Sequence, residues 1–355
     1  MERQPLEVQT IYAELLEQAA MYEAQRTIGH LSGSFVTKSI KGQTYYYFQY
    51  SEPGGAKRQA YLGRKSDALD AVALRYGAAR ESIAGDQASI KRLCAVLRAR
   101  GAMTTDAPSA RVISALADAG VFRLGGVLVG THAFTVIGNV LGVRWTSAGL
   151  RTQDVDIAAA KRMSVAIPTK SADVPGVLEG LEMGFLPVPG LNPASPTTSF
   201  KIRGQGLRVD LLAPSKGVGS KPVILHRFSA AAQPLRFLDY VMEDAISAVI
   251  IDGGGISVCI PDPARFALHK LIVAGERPAV MQAKREKDLW QASQLLDILA
   301  EDRAGDLALA WEALASRGAG WTRRAAKGLE DASRLSRGLA ERVRSITDYG
   351  RHAPT

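Results

Sequence analysis

Apolar positions in the first segment recur at helical spacing. Leu6, Ile11, Leu15, Leu16, Ala19, Ala20 and Tyr22 predict a helix over about 7–27. The pattern then changes to alternation. Phe35, Thr37 and Ser39 alternate with Val36, Lys38 and Ile40, and Lys41-Gly42-Gln43 reads as a turn into Tyr45–Tyr50. Pro53-Gly54-Gly55 reads as a second turn, into a strand ending at Leu62-Gly63, which completes a three-stranded antiparallel meander. Ser66, a good N-cap, opens a helix running past Tyr76, and a separate helix is expected over Gln87–Arg100.

The polar stretch GAMTTDAP, residues 101–108, contains a breaker and marks a boundary. Beyond it the pattern predicts a helix over Ser109–Ala119, an apolar strand over Phe122–Val129 and a helix over His132–Leu141. A strand over Asp154–Ala158 and a helix over Val174–Met183 follow. Phe200–Leu212 reads as a hairpin turning at Gly204-Gln205-Gly206. Strands are expected over 222–225, 248–251 and 256–260, the last two joined by Gly253-Gly254-Gly255. From Asp262 onward strands disappear. Asp262-Pro263 is a helix start, helices follow over Lys284–Leu299 and Leu307–Ala315, and the tail Arg317–Arg351 is basic with Arg at helical spacing. The implied class is α+β, in three parts: an N-terminal α+β module (1–105), a mixed-sheet domain (106–260) and a helical C-terminal region (261–355).

Composition narrows the function classes. At 355 residues and 46% hydrophobic, the chain is long enough for two or three domains with real cores. No stretch approaches ~18 uncharged apolar residues, and the first ten residues lack the apolar core of a signal peptide, so a soluble cytoplasmic protein is expected. Cys94 and Cys259 are far apart and offer neither a metal-ligand spacing nor a disulfide framework. The net charge of +9 is spread along the chain and favours an anionic partner such as a nucleotide or nucleic acid.

Three short segments carry candidate chemistry. An apolar strand ends at Gly130-Thr131 and a helix starts at once. Glycine there lets a phosphate approach the backbone, the helix N-terminus offers free N–H groups, and Thr131 adds a hydroxyl. In Asp154-Val155-Asp156 the carboxylates share one face of a strand, with Val155 and Ile157 turned to the core. Such a pair repels unless a divalent cation sits between. In Arg208-Val209-Asp210-Leu211-Leu212 a lone acid lies between apolar neighbours on a strand. A third carboxylate beside a metal pair is the arrangement used for phosphoryl or nucleotidyl transfer, and Mg²⁺ or Mn²⁺ suits such ligands.

Together the Gly-Thr turn, the Asp-x-Asp strand and the later single Asp resemble the polymerase-β-like nucleotidyltransferase superfamily. VGTHAFTVIGNVLGVRW followed by TQDVDIA looks closer still to a bacterial family described only as having a nucleotidyltransferase fold. The resemblance covers roughly residues 109–300 and makes residues 106–260 a nucleotidyltransferase palm. It implies Asp154, Asp156 and Asp210 as catalytic metal ligands, Gly130 and Thr131 as phosphate contacts, and an NTP as substrate. The gap between Gly130 and Asp154 exceeds that of minimal members and implies an insertion over about 142–151. The segments around Phe266–Lys270 and Lys284–Asp288 are similar to the helical part that follows the palm in abortive-infection and related nucleotidyltransferases. They suggest Lys270 as neutralising the triphosphate, and Lys287 and Asp288 as contacting nucleotide or acceptor.

The implied activity is transfer of a nucleoside monophosphate to a hydroxyl on RNA or protein. Two other readings stand beside it: a toxin–antitoxin or phage-defence component of the same fold, and a non-catalytic nucleic-acid-binding protein. Tyr45, Tyr46, Tyr47, Phe48 and Tyr50, flanked by Lys38, Lys41, Lys57, Arg58, Arg64 and Lys65, could form a stacking and phosphate surface, although at least half of these rings must face a core. His30, His132, His226, His269 and His352 show no metal spacing; His132, next to Thr131, could reach a nucleotide. Gly-Val-Gly-Ser-Lys at 217–221 lacks the full spacing of a phosphate-binding loop and reads as a plain loop.

Overall fold

The computed structural model describes residues 1–24, 33–51, 57–146, 152–160, 172–190, 195–215, 217 and 221–349. The chain opens with a short strand β1, Glu2–Arg3, and helix α1, Leu6–Ala24. The meander follows as β2 (Gly33–Ile40), β3 (Gln43–Ser51) and β4 (Lys57–Arg64), antiparallel in that order. Lys41 and Gly42 both take positive φ, 51° and 78°, which suits the right-handed twist of a two-residue hairpin. The expected Pro53-Gly54-Gly55 turn lies outside the described residues, as do His30 and His352.

Ser66 caps the next helix as expected, its Oγ accepting from the Leu69 N–H at 3.4 Å. That helix is one element, α2 (Asp67–Ala99), where the sequence predicts two. Gly77 and Gly85 lie in open space, so nothing packs there to break the helix. Their cost of about 1 kcal/mol each relative to alanine is offset by burial of Tyr76, Ile90, Cys94 and Leu97. Val8, Tyr12, Leu15 and Ala19 of α1 share a core with the last three of these and with Val249 and Ile251. The Tyr12 hydroxyl donates to Val249 O at 2.9 Å.

Asp106 caps α3 (Ala107–Asp118), accepting from the Ser109 N–H at 3.0 Å. Strand β5 is only Val127–Val129, shorter than the predicted Phe122–Val129. Gly120 and Gly125 take φ of 89° and 86° and turn the chain, and Gly126 sits hard against Val121. Then come α4 (Gly130–Val140), β6 (Val143–Arg144, paired with β1), β7 (Asp154–Ala158) and α5 (Val174–Gly180). Most of the anticipated insertion, 147–151, lies outside the described residues. Strands β8 (Phe185–Pro187), β9 (Ser199–Ile202), β10 (Arg208–Ser215), β11 (Val223–Leu225) and β12 (Ala230–Arg236) follow. Helix α6 (Leu238–Met242) leads into the hairpin β13 (Ile246–Ile250) and β14 (Ile256–Ile260).

The main sheet is seven-stranded and mixed, with path β11-β12-β10-β7-β5 and with β9 and β8 attached beside β10. β10 runs parallel to β7 and β12, and β5 runs antiparallel to β7. The hairpin expected over 200–212 is β9–β10, turning with Gly204 at φ 75°. β12 carries no strand pattern in the sequence, since an alanine run and Pro234 are poor strand formers. β11 reaches only as far as Ala232, so at Pro234 the outer edge has no partner strand there to require the missing N–H.

Five helices complete the chain: α7 (Pro263–Glu276), α8 (Gln282–Asp302), α9 (Ala304–Ala315), α10 (Ala319–Ser333) and α11 (Leu339–Tyr349). Asp262 caps α7, accepting from the N–H groups of Ala264 and Arg265, both at 2.9 Å. α10 crosses α7 closely: a Cβ at Gly328 would collide with Leu271 O. One continuous core runs from α3 through the mixed sheet to α11, so the α+β class read from the sequence holds. Among the described residues no helix is long and apolar enough to cross a membrane.

Candidate active site

Alternation on β7 and β10 sets the floor of the site. Val155, Ile157, Val209 and Leu211 point into the core and are fully buried. Their neighbours Asp154, Asp156 and Asp210 therefore leave the opposite face. The parallel register pairs Asp156 with Asp210 and Asp154 with Arg208, while on the other edge of β7 Val129 pairs with Asp156. Asp156 thus lies between Asp210 and the end of β5. Burial, then the negative charges of Asp210 and Asp154, pushes its carboxyl up to about 7. Burial also raises Asp210, against the pull of Arg208. Arg208 Nε donates to Asp210 Oδ1 at 2.7 Å and the Ser199 hydroxyl donates to the same oxygen. Oδ2 has no hydrogen-bond partner among the described residues.

The turn after β5 meets these acids at contact distance. Gly130 takes φ 70°, and a Cβ there would collide with Asp156 Oδ2. Only glycine satisfies both the left-handed backbone and the closeness of the carboxylate. Val129 occupies the N-cap of α4 and supplies no side-chain hydrogen bond, so the first N–H groups of the helix are left uncapped by side chains. The Thr131 carbonyl accepts from the Thr135 hydroxyl at 3.1 Å.

The opposite wall is cationic. Lys270 on α7 and Arg277 just beyond it both engage Asp288 on α8. Lys270 Nζ donates to Oδ1 at 2.7 Å and Arg277 Nε to Oδ2 at 2.9 Å. Burial works against the Asp288 charge, yet the two cations hold its carboxyl below the usual range. Lys287 is pulled down by burial and then by the repulsion of Lys270. His269 is held down to about 3 by burial and by Lys270, so it is neutral at pH 7. Its Nδ1 has no hydrogen-bond partner among the described residues.

The seven residues to which the resemblance assigns catalytic or phosphate roles line one cleft of about 560 Å³: Gly130, Thr131, Asp154, Asp156, Asp210, Lys270 and Lys287. The cleft also takes in Thr152, Arg277, Lys284 and Asp288, together with an apolar side that includes Pro234, Leu235, Phe237 and Phe266. Sequence reasoning missed Arg277 and Lys284 as site residues, and missed Arg208 and Ser199 as partners of Asp210. His132 is not among the residues lining the cleft; it is buried, and burial drives its imidazole down to about 4. Gly217 lines the cleft, while 218–220 of the Gly-Val-Gly-Ser-Lys segment lie outside the described residues.

The donor set can be tested for a cation. Among the described residues no three Asp, Glu, His or Cys side chains converge as a ready ligand cluster, and Asp210 is engaged by Arg208 and Ser199 instead. The chemistry still fits a hard cation. The candidates are carboxylates alone, on one face, and the burial and like-charge repulsion that raise Asp156 are the imbalance a dication relieves.

A nucleotidyltransferase family model matches residues 107–316, which span the mixed sheet, the cleft and α7 to α9. No curated protein matches the chain. Among solved structures, the crystal structure of an antigenic nucleotidyltransferase-like protein from Paracoccidioides brasiliensis is 15% identical, with 63% of this chain and 94% of that one covered and a TM-score of 0.32.

Proposed function

The chain belongs to the nucleotidyltransferase family, and from that premise we propose that it transfers a nucleoside monophosphate from an NTP to an acceptor hydroxyl on RNA or protein. The observation that carries this reading is the placement of Asp156 beside Asp210 in register, with Gly130 against the Asp156 carboxylate and a cationic wall across the cleft.

In this mechanism the acceptor oxygen forms a bond to the α-phosphorus as the bond to the bridging oxygen breaks and pyrophosphate leaves. Asp210 takes the hydroxyl proton; its raised carboxyl is a better proton acceptor near neutral pH than an ordinary aspartate. The uncapped N-terminus of α4 and the Thr131 hydroxyl hold phosphate oxygens. Lys270, Arg277, Lys284 and Lys287 neutralise the triphosphate, with Asp288 fixing the first two in place. The apolar side of the cleft, Leu235, Phe237 and Phe266 among others, receives the base. Mg²⁺ or Mn²⁺ held by Asp154, Asp156 and Asp210 would lower the pKa of the attacking hydroxyl and steady the leaving pyrophosphate. We retain the division into an N-terminal module (1–105), a palm (106–260) and a helical region (261–355) as part of this reading, with the last region closing the cleft.

The test is labelled transfer. The chain is incubated with Mg²⁺ or Mn²⁺, each α-labelled NTP in turn, and cellular RNA and protein, beside an Asp154→Ala/Asp156→Ala control. Label entering RNA or protein only with the acids intact supports the activity and names the acceptor class. Absence of transfer with every NTP, together with absence of metal-dependent nucleotide binding, removes it in favour of a non-catalytic binding protein.

A further inference from the structure

The meander β2–β4 has two unlike faces. On the inner face Phe35 and Phe48 pack against Tyr76 of α2, with centroids 5.2 and 5.6 Å from it, and the Tyr76 hydroxyl donates to Gly33 O at 2.7 Å. That contact explains the inner rings as core. The outer face has no such explanation. Register places Tyr47 opposite Tyr61, and Gln49 opposite Gln59. Tyr45 joins the same cluster, its centroid 6.1 Å from that of Tyr61, and Tyr47 lies 5.5 Å from Tyr61. β4 is exposed at nearly every position, and Tyr61 is 60% exposed.

Charge on this face has one sign. The described residues of the three strands contain no Asp or Glu, whereas Lys38, Lys57 and Arg64 stand on the outer face and Lys41 at the turn. Lys38 Nζ lies 4.8 Å from the Tyr47 ring centroid. None of these four forms an ion pair among the described residues, in contrast to Lys65, which reaches Asp70 at 3.8 Å. Exposed Tyr61 with half-buried Tyr45 and Tyr47, interleaved with cations that make no ion pair, match a strand of unstacked bases on a polyanionic backbone, since rings stack bases and lysines neutralise phosphates. The Gln49–Gln59 pair, joined at 3.1 Å, retains donors and acceptors for ribose hydroxyls.

We propose that the outer face of β2–β4, centred on Tyr45, Tyr47 and Tyr61 with Lys38, Lys57 and Arg64, binds single-stranded RNA. The site is separate from the catalytic cleft and does not depend on transfer activity.

The experiment is fluorescence anisotropy of the full chain with a labelled oligouridylate, compared with the matching oligothymidylate and an RNA duplex. The unstructured RNA binds most tightly. Tyr47→Thr/Tyr61→Thr, which keeps strand-forming residues, weakens it about tenfold or more. Lys38→Glu/Lys57→Glu weakens it and flattens its salt dependence. Arg334→Glu, which removes an exposed cation of the C-terminal helical region, and Asp156→Ala leave it within about twofold. Loss of binding in Arg334→Glu to the same degree, indifference to the tyrosine pair, or a preference for DNA or duplex overturns the proposal. Should the tyrosine variant fail to fold, photocrosslinking of thiouridine-bearing RNA to the unaltered chain decides. Crosslinks within Gln43–Ser51 and Lys57–Arg64 support the site, and crosslinks found only elsewhere overturn it.

Discussion

Asp156 on β7 and Asp210 on β10 are register partners on adjacent parallel strands, so their carboxylates rise from one face of the sheet with their backbones about 5 Å apart. After burial, the Asp210 charge is the largest influence holding the Asp156 carboxyl up. Asp156→Asn keeps the shape and removes the charge. Transfer activity in that variant is expected to fall about a thousandfold or more, on the order of 4 kcal/mol of barrier. Circular dichroism is expected to be unchanged. Turnover at the parent rate would dismiss Asp156 from the mechanism.

Burial of Asp156, reinforced by its charged neighbours Asp210 and Asp154, makes stability depend on pH. The Asp156 carboxyl stands at about 7 in the folded chain against an ordinary 3.8. Between those values the folded state holds a proton that the unfolded state has released. Stability therefore falls as pH rises from about 4 to about 7, and the loss is complete above that range. Without divalent cation, Asp156→Asn is expected to melt about 3 °C or more above the parent at about pH 8 and level with it near pH 4. Adding Mg²⁺ at the higher pH is expected to raise the melting temperature of the parent and not of the variant. Parallel melting curves across the whole pH range would show that the carboxylate pair is not strained.

The acids were legible in the sequence because strand alternation is local. Val155, Ile157, Val209 and Leu211 had to face a core, which turned Asp154, Asp156 and Asp210 the other way. That Asp156 sits beside Asp210 and not beside Arg208 is a matter of register between strands distant in sequence, and no local pattern encodes it. Arg277 and Lys284 stayed hidden for a similar reason: they enter the cleft only because α7 and α8 pack against each other. β12 was concealed by its alanines and Pro234, which become acceptable only once β11 is seen to stop short. α2 reads as two helices in the sequence, yet Gly77 and Gly85 between them lie in open space and the helix runs through.

Asp288 is the hinge of the cationic wall. Its side chain is 5% exposed and pairs with both Lys270 and Arg277. Asp288→Asn leaves two cations without their counter-charge and is expected to cost about 3 kcal/mol in urea denaturation. Lys270→Met is expected to cost less stability, because Arg277 still pairs with Asp288, while raising KM for NTP about tenfold. An unchanged KM in Lys270→Met would remove that lysine from the triphosphate site and leave it as a structural partner of Asp288.

Gly130 links the turn to the acids, and its replacement separates two effects. At φ 70° an alanine is strained by roughly 1 kcal/mol. Its Cβ would also press on Asp156 Oδ2, which must then move. In Gly130→Ala the displaced carboxylate and the shifted start of α4 are expected to weaken metal-dependent nucleotide binding about tenfold or more, measured by calorimetry, with a melting temperature only a few degrees lower. In Gly130→Ala/Asp156→Gly the collision is gone, and comparison with Asp156→Gly alone isolates the backbone strain. If steric pressure on Asp156 accounts for most of the lost stability, Gly130→Ala lowers the melting temperature less in the Asp156→Gly background than in the parent. If the loss is the same in both backgrounds, the left-handed backbone is the dominant constraint, and the glycine serves the helix start before it serves the carboxylate.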